Sequence, residues 1–262
     1  MKRRFAICIA SFLFVAPLSA DVTIKQTVQG KALGMGGKTT STTYIKGNKL
    51  RTDTVAGDKV MSTVFDVDDQ KIYIFDNKKK EAEVWDMATF AQELSKSVDE
   101  TSITGSVKAN GQTKQIAGLA ANGYDVQVSM QAGMAGSKDM NMTVTLSGPT
   151  WIVKGAPGSA DYANFYRAAV EKGFIFTPPA AAKAQPGQAK AFAEMYRKFA
   201  EAGGIPYEST MDIKMGGSGP LGGVLARMGN STMTMVVDSV ETTSLAADLF
   251  APPAGYKLNP KK

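Results

Sequence analysis

The stretch MSTVFDVDDQKIYIFDNKKKEAEVW, residues 61–85, decides the fold class of this chain. Three short segments alternate apolar and polar side chains, and polar clusters at 68–69 and 77–80 separate them. A period of two indicates half-buried strands, and clusters of Asp, Asn and Lys between them indicate tight turns. The stretch therefore predicts three consecutive antiparallel strands over 61–67, 71–76 and 81–85.

The same pattern continues on both sides of this stretch. Upstream, residues 22–28 alternate, and 42–45 leads through Gly47-Asn48, a hairpin turn signal, into 50–54. The other predicted strands are 112–116, 124–130, 140–147, 151–154, 207–215, 231–240 and 256–258. Three segments change to the helical period: 87–98, 159–172 with Ser159 as its N-cap, and 188–202, which ends at Gly203-Gly204.

These elements predict a mainly β (α+β) fold, a curved antiparallel sheet or open half-barrel with about three helices covering its concave face. We expect a single domain over 21–258. It includes an Ala/Pro segment, 177–187, that is interpreted as a linker, and a Gly-rich flap, 216–230. A basic tail, 259–262, follows the domain.

The first 20 residues have the organisation of a secretory signal peptide. Lys2, Arg3 and Arg4 precede an apolar run, and small residues lead to Ala20, where we expect cleavage by the general secretory route. The run is shorter than the about 20 apolar residues that span a bilayer. The mature chain is therefore expected in the periplasm or secreted, and not transmembrane.

Composition excludes several classes of function. The chain has no histidine, and its one cysteine, Cys8, lies in the signal peptide. Catalytic Ser-His-Asp and Cys-His sites, His or Cys metal sites and disulfides are thereby excluded from the mature chain. Removal of Lys2, Arg3 and Arg4 lowers the net charge from +6 to +3, and the charges are interspersed, which argues against nucleic-acid binding. We expect a monomeric, non-enzymatic protein without cofactors.

Two glycine-rich motifs suggest nucleotide binding but lack its context. ALGMGGKT, residues 32–39, fits a relaxed phosphate-binding loop, yet the β-forming residues 39–45 follow it instead of a helix. Gly217, Gly219 and Gly222 fit G-x-G-x-x-G outside any βαβ unit. We interpret the first motif as a hairpin loop and the second as part of the flap. Asp66, Asp68 and Asp69 lack calcium-loop spacing and indicate a turn.

Methionines and aromatic residues recur on the predicted strands and helices, which suggests an adaptable apolar lining. The pairs Met140/Met142 and Met233/Met235 also have a spacing that Cu(I) can use, although an apolar lining is the commoner explanation. Met215 belongs to the same pattern. The residues predicted to bind a ligand are Tyr73, Phe75, Trp85, Met130, Met142, Trp151, Phe165, Phe192, Met195, Met211, Met233 and Met235. Plain core packing is the alternative for all of them.

Five stretches carry a resemblance to a known family: YIKGNKLRTDT (44–54), VFDVDDQKIYIFDNKKKEAEVW (64–85), KQIAGLAANGYDV (114–126), GGIPYESTMDI (203–213) and VDSVETTSLAADLFAPPAGYKL (237–258). They resemble an uncharacterised family of exported bacterial proteins, which is similar to the LolA/LolB-like periplasmic lipoprotein-carrier superfamily. The resemblance implies an unclosed antiparallel half-barrel whose helix-covered concave face accepts acyl chains. Arg51 is a candidate for the gating arginine of the carrier. The Gly-rich flap and the Ala/Pro segment depart from the superfamily.

Two functions follow from this sequence. The first is a periplasmic or secreted binding or carrier protein for a lipid, a lipoprotein acyl chain or another apolar ligand. The second is a cell-envelope structural or protein-interaction module with a fully packed half-barrel and no ligand.

Overall fold

Twelve strands form one sheet in the part of the chain that the computed structural model describes, residues 21–30, 37–96, 98–134, 137–184, 186–217 and 231–261. The strands are β1 (Val22–Gly30), β2 (Lys38–Lys46), β3 (Lys49–Ala56), β4 (Lys59–Asp66), β5 (Lys71–Asp76), β6 (Glu81–Asp86), β7 (Val98–Ile116), β8 (Leu119–Met134), β9 (Ser137–Val153), β10 (Ile205–Gly217), β11 (Ser231–Thr242) and β12 (Lys257–Lys261). Their order is β12-β6-β5-β4-β3-β2-β1-β11-β10-β9-β8-β7, so the sheet is open, with β12 and β7 at its edges. All neighbouring pairs are antiparallel except β12 and β6. The prediction of a mainly β fold with an open sheet is confirmed.

The meander from β2 to β6 forms as its alternation predicts. Leu50 pairs with Phe65, and Phe65 pairs with Ile72, so one apolar row crosses three strands. Gly47 adopts a φ of 55° in the turn between β2 and β3, a conformation that glycine accepts without strain. Asp66 accepts a hydrogen bond from the Asp69 backbone N–H at 3.1 Å, which confirms a turn at this acidic cluster.

The strands of the second half are longer than their patterns indicate. Residues 98–111, for which no strand was predicted, belong to β7, and Ile103 pairs there with Met130 of β8. The predicted break between 147 and 151 is wrong, because β9 runs through Gly148 and Pro149. A Cβ at Gly148 would overlap the Thr210 carbonyl oxygen, so glycine permits the close approach of β10 that keeps the strand paired.

The described residues form four α-helices: α1 (Met87–Lys96), α2 (Ser159–Glu171), α3 (Pro179–Ala184) and α4 (Pro186–Ala202). Helix α1 ends before residue 98, where β7 begins. Asp86 caps α1, since its Oδ1 accepts a hydrogen bond from the Thr89 N–H at 2.8 Å. The predicted cap Ser159 is instead the first residue of α2, and its hydroxyl donates to the Val153 carbonyl oxygen at 3.3 Å.

The interpretation of the Ala/Pro segment 177–187 as a linker is wrong. Helix α3 occupies most of it, and α4 already begins at Pro186. Proline is tolerated at the first helical position, where its missing N–H would have no partner, and alanine has the highest helix propensity. Pro179 and Pro186 therefore start helices here, and the alanines between them continue the first helix.

The basic tail is also corrected. Residues 259–261 belong to β12, which pairs in parallel with β6, and the Lys261 ammonium lies 3.3 Å from the Glu83 carboxylate. The signal peptide 1–20, residues 31–36 of the first glycine-rich motif and residues 218–230 of the flap lie outside the described residues. Among the helices that the structure describes, none combines the length and the apolar composition that crossing a bilayer requires.

The two faces of the sheet bury different partners. On one face, helix α4 contacts β7, β8 and β9, and helix α2 contacts α4 and β10. The largest apolar cluster joins strand residues such as Val22 and Leu50 to helix residues such as Phe90 and Phe165. On the other face, Val64 and Phe75 pack with Phe250 of the 3-10 helix Ala247–Phe250.

Candidate functional site

A cavity of about 220 Å³ lies between the sheet and two helices. Strands β1, β2, β3, β4, β10 and β11 contribute one wall, and α2, α4 and residues 176–178 contribute the other. The lining residues are Ile24, Gln26, Val28, Thr39, Ser41, Thr43, Leu50, Thr52, Thr54, Met61, Thr63, Phe65, Tyr162, Tyr166, Phe176, Thr177, Pro178, Phe192, Met195, Tyr196, Phe199, Pro206, Ser209, Met211, Met233 and Met235.

Hydroxyl groups form part of the sheet wall in rows that cross the strands. In one row Thr43 pairs with Thr52, and Thr52 pairs with Thr63. In the next row Ser41 pairs with Gln26 on one side and with Thr54 on the other. Paired residues on neighbouring strands share a face of the sheet, so both rows point into the cavity.

Several of these polar groups lack a hydrogen-bond partner within the described part of the chain. The hydroxyls of Ser41, Thr54 and Thr63 and the side-chain amide of Gln26 make no hydrogen bond to other described residues. Ser41 is 7% exposed and Thr63 is 5% exposed, so bulk water does not solvate them freely. Buried polar groups are nearly always satisfied, and an unsatisfied one suggests a water or a ligand.

Other hydroxyls of the same wall are satisfied by the protein. The hydroxyl of Ser209, which lines the cavity, lies 2.8 Å from the hydroxyl of its neighbour Thr150 in a buried hydrogen bond. The Thr39 hydroxyl donates to the Val28 carbonyl oxygen at 3.5 Å. Unpartnered polar groups therefore occur on β1 to β4 and also on the helix side of the cavity, where the buried Thr177 hydroxyl makes no hydrogen bond to other described residues.

The remaining lining is soft and apolar. Five methionines line the cavity from the strands and from α4: Met61, Met195, Met211, Met233 and Met235. The rings of Tyr166 and Tyr196 stack at 4.9 Å with an interplanar angle of 3°, and Phe176 meets both of them edge-on at 4.9 and 5.0 Å. Thioether side chains adapt to varied apolar shapes, whereas the stacked rings form a rigid surface.

The cavity carries no formal charge in its described lining, which includes no Asp, Glu, Lys or Arg. Burial raises the pKa of Tyr162, of Tyr166 and of Tyr196 above the usual phenol value, so these hydroxyls are neutral at physiological pH. The described residues also contain no group of three or more His, Cys, Asp or Glu that is arranged to hold a metal ion. This lining can bury an uncharged molecule and offer it hydrogen bonds.

Five of the twelve residues predicted to bind a ligand meet around this cavity: Phe192, Met195, Met211, Met233 and Met235. Met130 and Met142 do not line it, because they belong to an adjoining cluster in which their methyl groups lie against Gly187 of α4. Met215 packs against the same cluster. The side chain of Met140 lies outside the described residues, so its pairing with Met142 is not described.

Three further predicted residues pack into the core instead of lining the cavity. Trp85 meets Phe90 edge-on at 5.6 Å. Phe165 is fully buried and meets the Tyr166 ring at 5.3 Å. Trp151 is half-buried, with the Lys114 ammonium 4.5 Å from its ring centroid.

Tyr73 and Phe75 lie on the opposite face of the sheet from the cavity, as does Arg51. The Arg51 guanidinium donates to Asp53 at 2.9 Å and to the Leu249 carbonyl oxygen at 3.1 Å, and it lies 5.7 Å from the Phe75 ring centroid. The candidate gating arginine therefore holds the C-terminal segment against the sheet and does not line the cavity.

The hydroxyl rows and the aromatic residues Tyr162, Tyr166 and Tyr196 were not predicted as site residues. Strand β2 carries hydroxyls at Thr39, Ser41 and Thr43 on one face and also at residues 40 and 42 on the other, so its composition does not mark the inward face. The stacking of tyrosines from α2 and α4 depends on how the helices pack, which their separate periodicities do not reveal.

Comparison with models of known protein families gives no match, and comparison with curated proteins gives none either. Among solved structures, an uncharacterized conserved protein from Thermus thermophilus is 10% identical to this chain, with a TM-score of 0.41 and coverage of 93% of this chain and 92% of that one. A structure of PNGF-II is 10% identical, with a TM-score of 0.37 and coverage of 92% of this chain. The match spans about a third of PNGF-II, 31% of its length.

Proposed function

We propose that this chain is an exported, non-enzymatic binding or carrier protein for a small lipid, an acyl chain or a similar apolar ligand. The helices would cover the concave face of a curved sheet, and the ligand would lie between them. The observation that carries the proposal is the cavity between the sheet and the helices, with its uncharged lining of methionines, aromatic rings and hydroxyls.

Burial of hydrocarbon would supply the binding energy. Each methylene removed from water contributes about 0.8 kcal/mol, and methionine side chains on three elements can adjust to its path. Met195 of α4 and Met211 and Met233 of neighbouring strands line the cavity together. No carboxylate, ammonium or guanidinium is among the described lining residues, so an apolar ligand would meet no formal charge there.

The N-terminal sequence and the resemblance to the LolA/LolB-like superfamily support export and acyl-chain binding. We infer that residues 1–20 direct secretion and that the mature chain acts in the periplasm or outside the cell as a monomer. An acyl chain would then meet the apolar cavity wall.

A second candidate function is a cell-envelope module that binds a protein partner. Strand β7 favours it, because it is 19 residues long, stands at the edge of the sheet and pairs only with β8 among the described strands. Unpaired backbone groups of an edge strand can accept a strand from another protein. In this case the cavity would bind nothing, and a crosslinked partner would map to β7.

Native mass spectrometry of the purified protein and calorimetric titration with toluene test the proposal. Toluene has seven carbons and no polar group, so it measures the apolar cavity alone. Met235→Trp should fill the cavity and abolish toluene binding, because Met235 lines it. Val236→Trp is the matched control. Val236 is adjacent to Met235 in the sequence, but its side chain is 38% exposed and does not line the cavity. Equal toluene affinities in the two variants would refute the proposal.

A further inference from the structure

We propose that the cavity selects an uncharged amphiphile, a short aliphatic chain that ends in a hydroxyl or similar neutral group, over the carboxylate of the same chain. This inference rests on the proposed binding function and adds the chemistry of the ligand's head group. It depends on the unpartnered polar rows, on the charge of the lining and on the size of the cavity.

The polar rows provide the recognition site for the head group. Ser41, Thr54 and Thr63 present hydroxyls without partners among the described residues, and Gln26 adds an amide in the same row as Ser41. A hydroxyl both donates and accepts a hydrogen bond, and an amide also offers both kinds of atom. A neutral head group that donates and accepts can therefore satisfy several of these atoms at once.

The absence of charge in the described lining disfavours an anionic head group. A carboxylate loses its hydration when buried, and it needs a cation or several hydrogen-bond donors in compensation. The neighbouring cations point away from the cavity: Lys49 donates to Asp66 at 2.7 Å, and Arg51 is bound to Asp53 on the opposite face. Ligands with a neutral head avoid this cost.

The arrangement of the lining orients the ligand. The unpartnered side chains of the polar rows belong to β1 to β4, together with one methionine, Met61, whereas Met211, Met233 and Met235 belong to β10 and β11 on the other side of β1. The head group would lie toward the polar rows of β2, β3 and β4, and the chain would lie toward Met211, Met233 and Met235. A cavity of about 220 Å³ has roughly the volume of seven water molecules in the liquid. The ligand portion inside it therefore has about seven non-hydrogen atoms.

Methyl NMR of the full chain labelled with [methyl-¹³C]methionine tests the inference. The probes are 1-hexanol, sodium hexanoate at pH 8 and toluene, and the reporters are the methyl signals of Met211, Met233 and Met235. Met87 is a control reporter, because it is buried and does not line the cavity. We expect 1-hexanol to bind at least about 10-fold more tightly than hexanoate, the scale of one or more hydrogen bonds together with the avoided burial of charge.

Variants separate recognition of the head group from burial of the chain. Thr63→Val and Ser41→Ala should each weaken 1-hexanol binding by about 5-fold and leave toluene binding unchanged. Thr40→Val is the matched control, because Thr40 is exposed and adjacent to Ser41 on the opposite face of β2. Two variants at separate positions guard against a folding defect in either.

The outcomes distinguish this inference from the function on which it rests. If toluene and both amphiphiles shift the cavity methionines with equal affinity, or if both variants leave 1-hexanol binding unchanged, the head-group inference is overturned and the binding function stands. If toluene and 1-hexanol shift none of the three methionine signals, both are overturned. Preferential binding of 1-hexanol that both variants reduce supports both.

Discussion

Removing the Thr63 hydroxyl should stabilise the protein, whereas removing the Thr150 hydroxyl should destabilise it. Both side chains are buried, with exposures of 5% and 0%, and valine reproduces the shape of threonine in both. They differ in hydrogen bonding: Thr63 has no partner among the described residues, and Thr150 shares a buried hydrogen bond with Ser209 at 2.8 Å. The same substitution therefore isolates the cost of an unsatisfied hydroxyl.

The size of each change in the free energy of unfolding depends on whether the substitution removes an unpaired hydroxyl or leaves one behind. A buried hydroxyl without a partner costs about 1–3 kcal/mol, and water in the cavity recovers part of this cost, so Thr63→Val should raise the free energy of unfolding by about 1 kcal/mol. Thr150→Val strands the Ser209 hydroxyl and should lower the free energy of unfolding by about 1–3 kcal/mol. The double variant Thr150→Val/Ser209→Ala should recover part of that loss, because no hydroxyl is left unpaired.

Urea unfolding, followed by circular dichroism at pH 7, measures these differences. A gain of about 1 kcal/mol corresponds to a rise of about 2–4 °C in Tm for a chain of this size. Thr40→Val, on the exposed side of β2, should change the free energy of unfolding by less than about 0.5 kcal/mol. If Thr63→Val destabilises the protein as much as Thr150→Val does, then the Thr63 hydroxyl is satisfied and the account of the polar rows is refuted.

Two further substitutions test the backbone and a helix cap. Gly148→Ala should lower the free energy of unfolding by at least about 2 kcal/mol, because its Cβ would overlap the Thr210 carbonyl oxygen, whereas Gly155→Ala meets open space and should change it by less than about 0.5 kcal/mol in urea unfolding. Asp86→Ala should cost about 1 kcal/mol at pH 7 by removing the cap of α1. Hydrogen bonds from Thr89 lower the pKa of Asp86, so its contribution is full above the unfolded carboxyl pKa of about 3.9 and is lost as the pH falls through the lowered folded-state pKa. Unfolding curves of both proteins from pH 7 to pH 2 should therefore converge, and a constant difference would contradict the capping role.

The meander was predictable because local signals agree there. Alternation marks the strands, and Gly47-Asn48 and the polar clusters mark the turns. Helix α3 was not predictable in the same way, since Ala and Pro suit both a linker and a helix that begins with Pro179. Residues 98–111 of β7 show little alternation of apolar and polar side chains. They form a strand because they pair with β8, as between Val107 and Val126.

The candidate site was predictable only where the side chain itself suggested it. Met211 and Met233 were predicted because methionine on a strand indicates an adaptable apolar lining, and both line the cavity. Alternation places Tyr73 on one face of β5 and Ile72 on the other, but it does not say which face meets the helices. The structure turns Ile72 inward, where it is fully buried, and leaves Tyr73 half-buried on the opposite face.

The parallel pairing of β12 with β6 means that the C-terminal residues must be synthesised before the sheet can be completed. The Tyr256 hydroxyl donates to Asn77 across 179 positions of sequence, and Lys257 to Lys261 pair alongside β6 directly after it. Until these residues have been synthesised, β6 is an edge strand, unpaired on one side, and strands of other chains can pair with it. Completion of the sheet therefore depends on synthesis through β12, and a nascent chain that stalls shortly before it is the species most exposed to self-association.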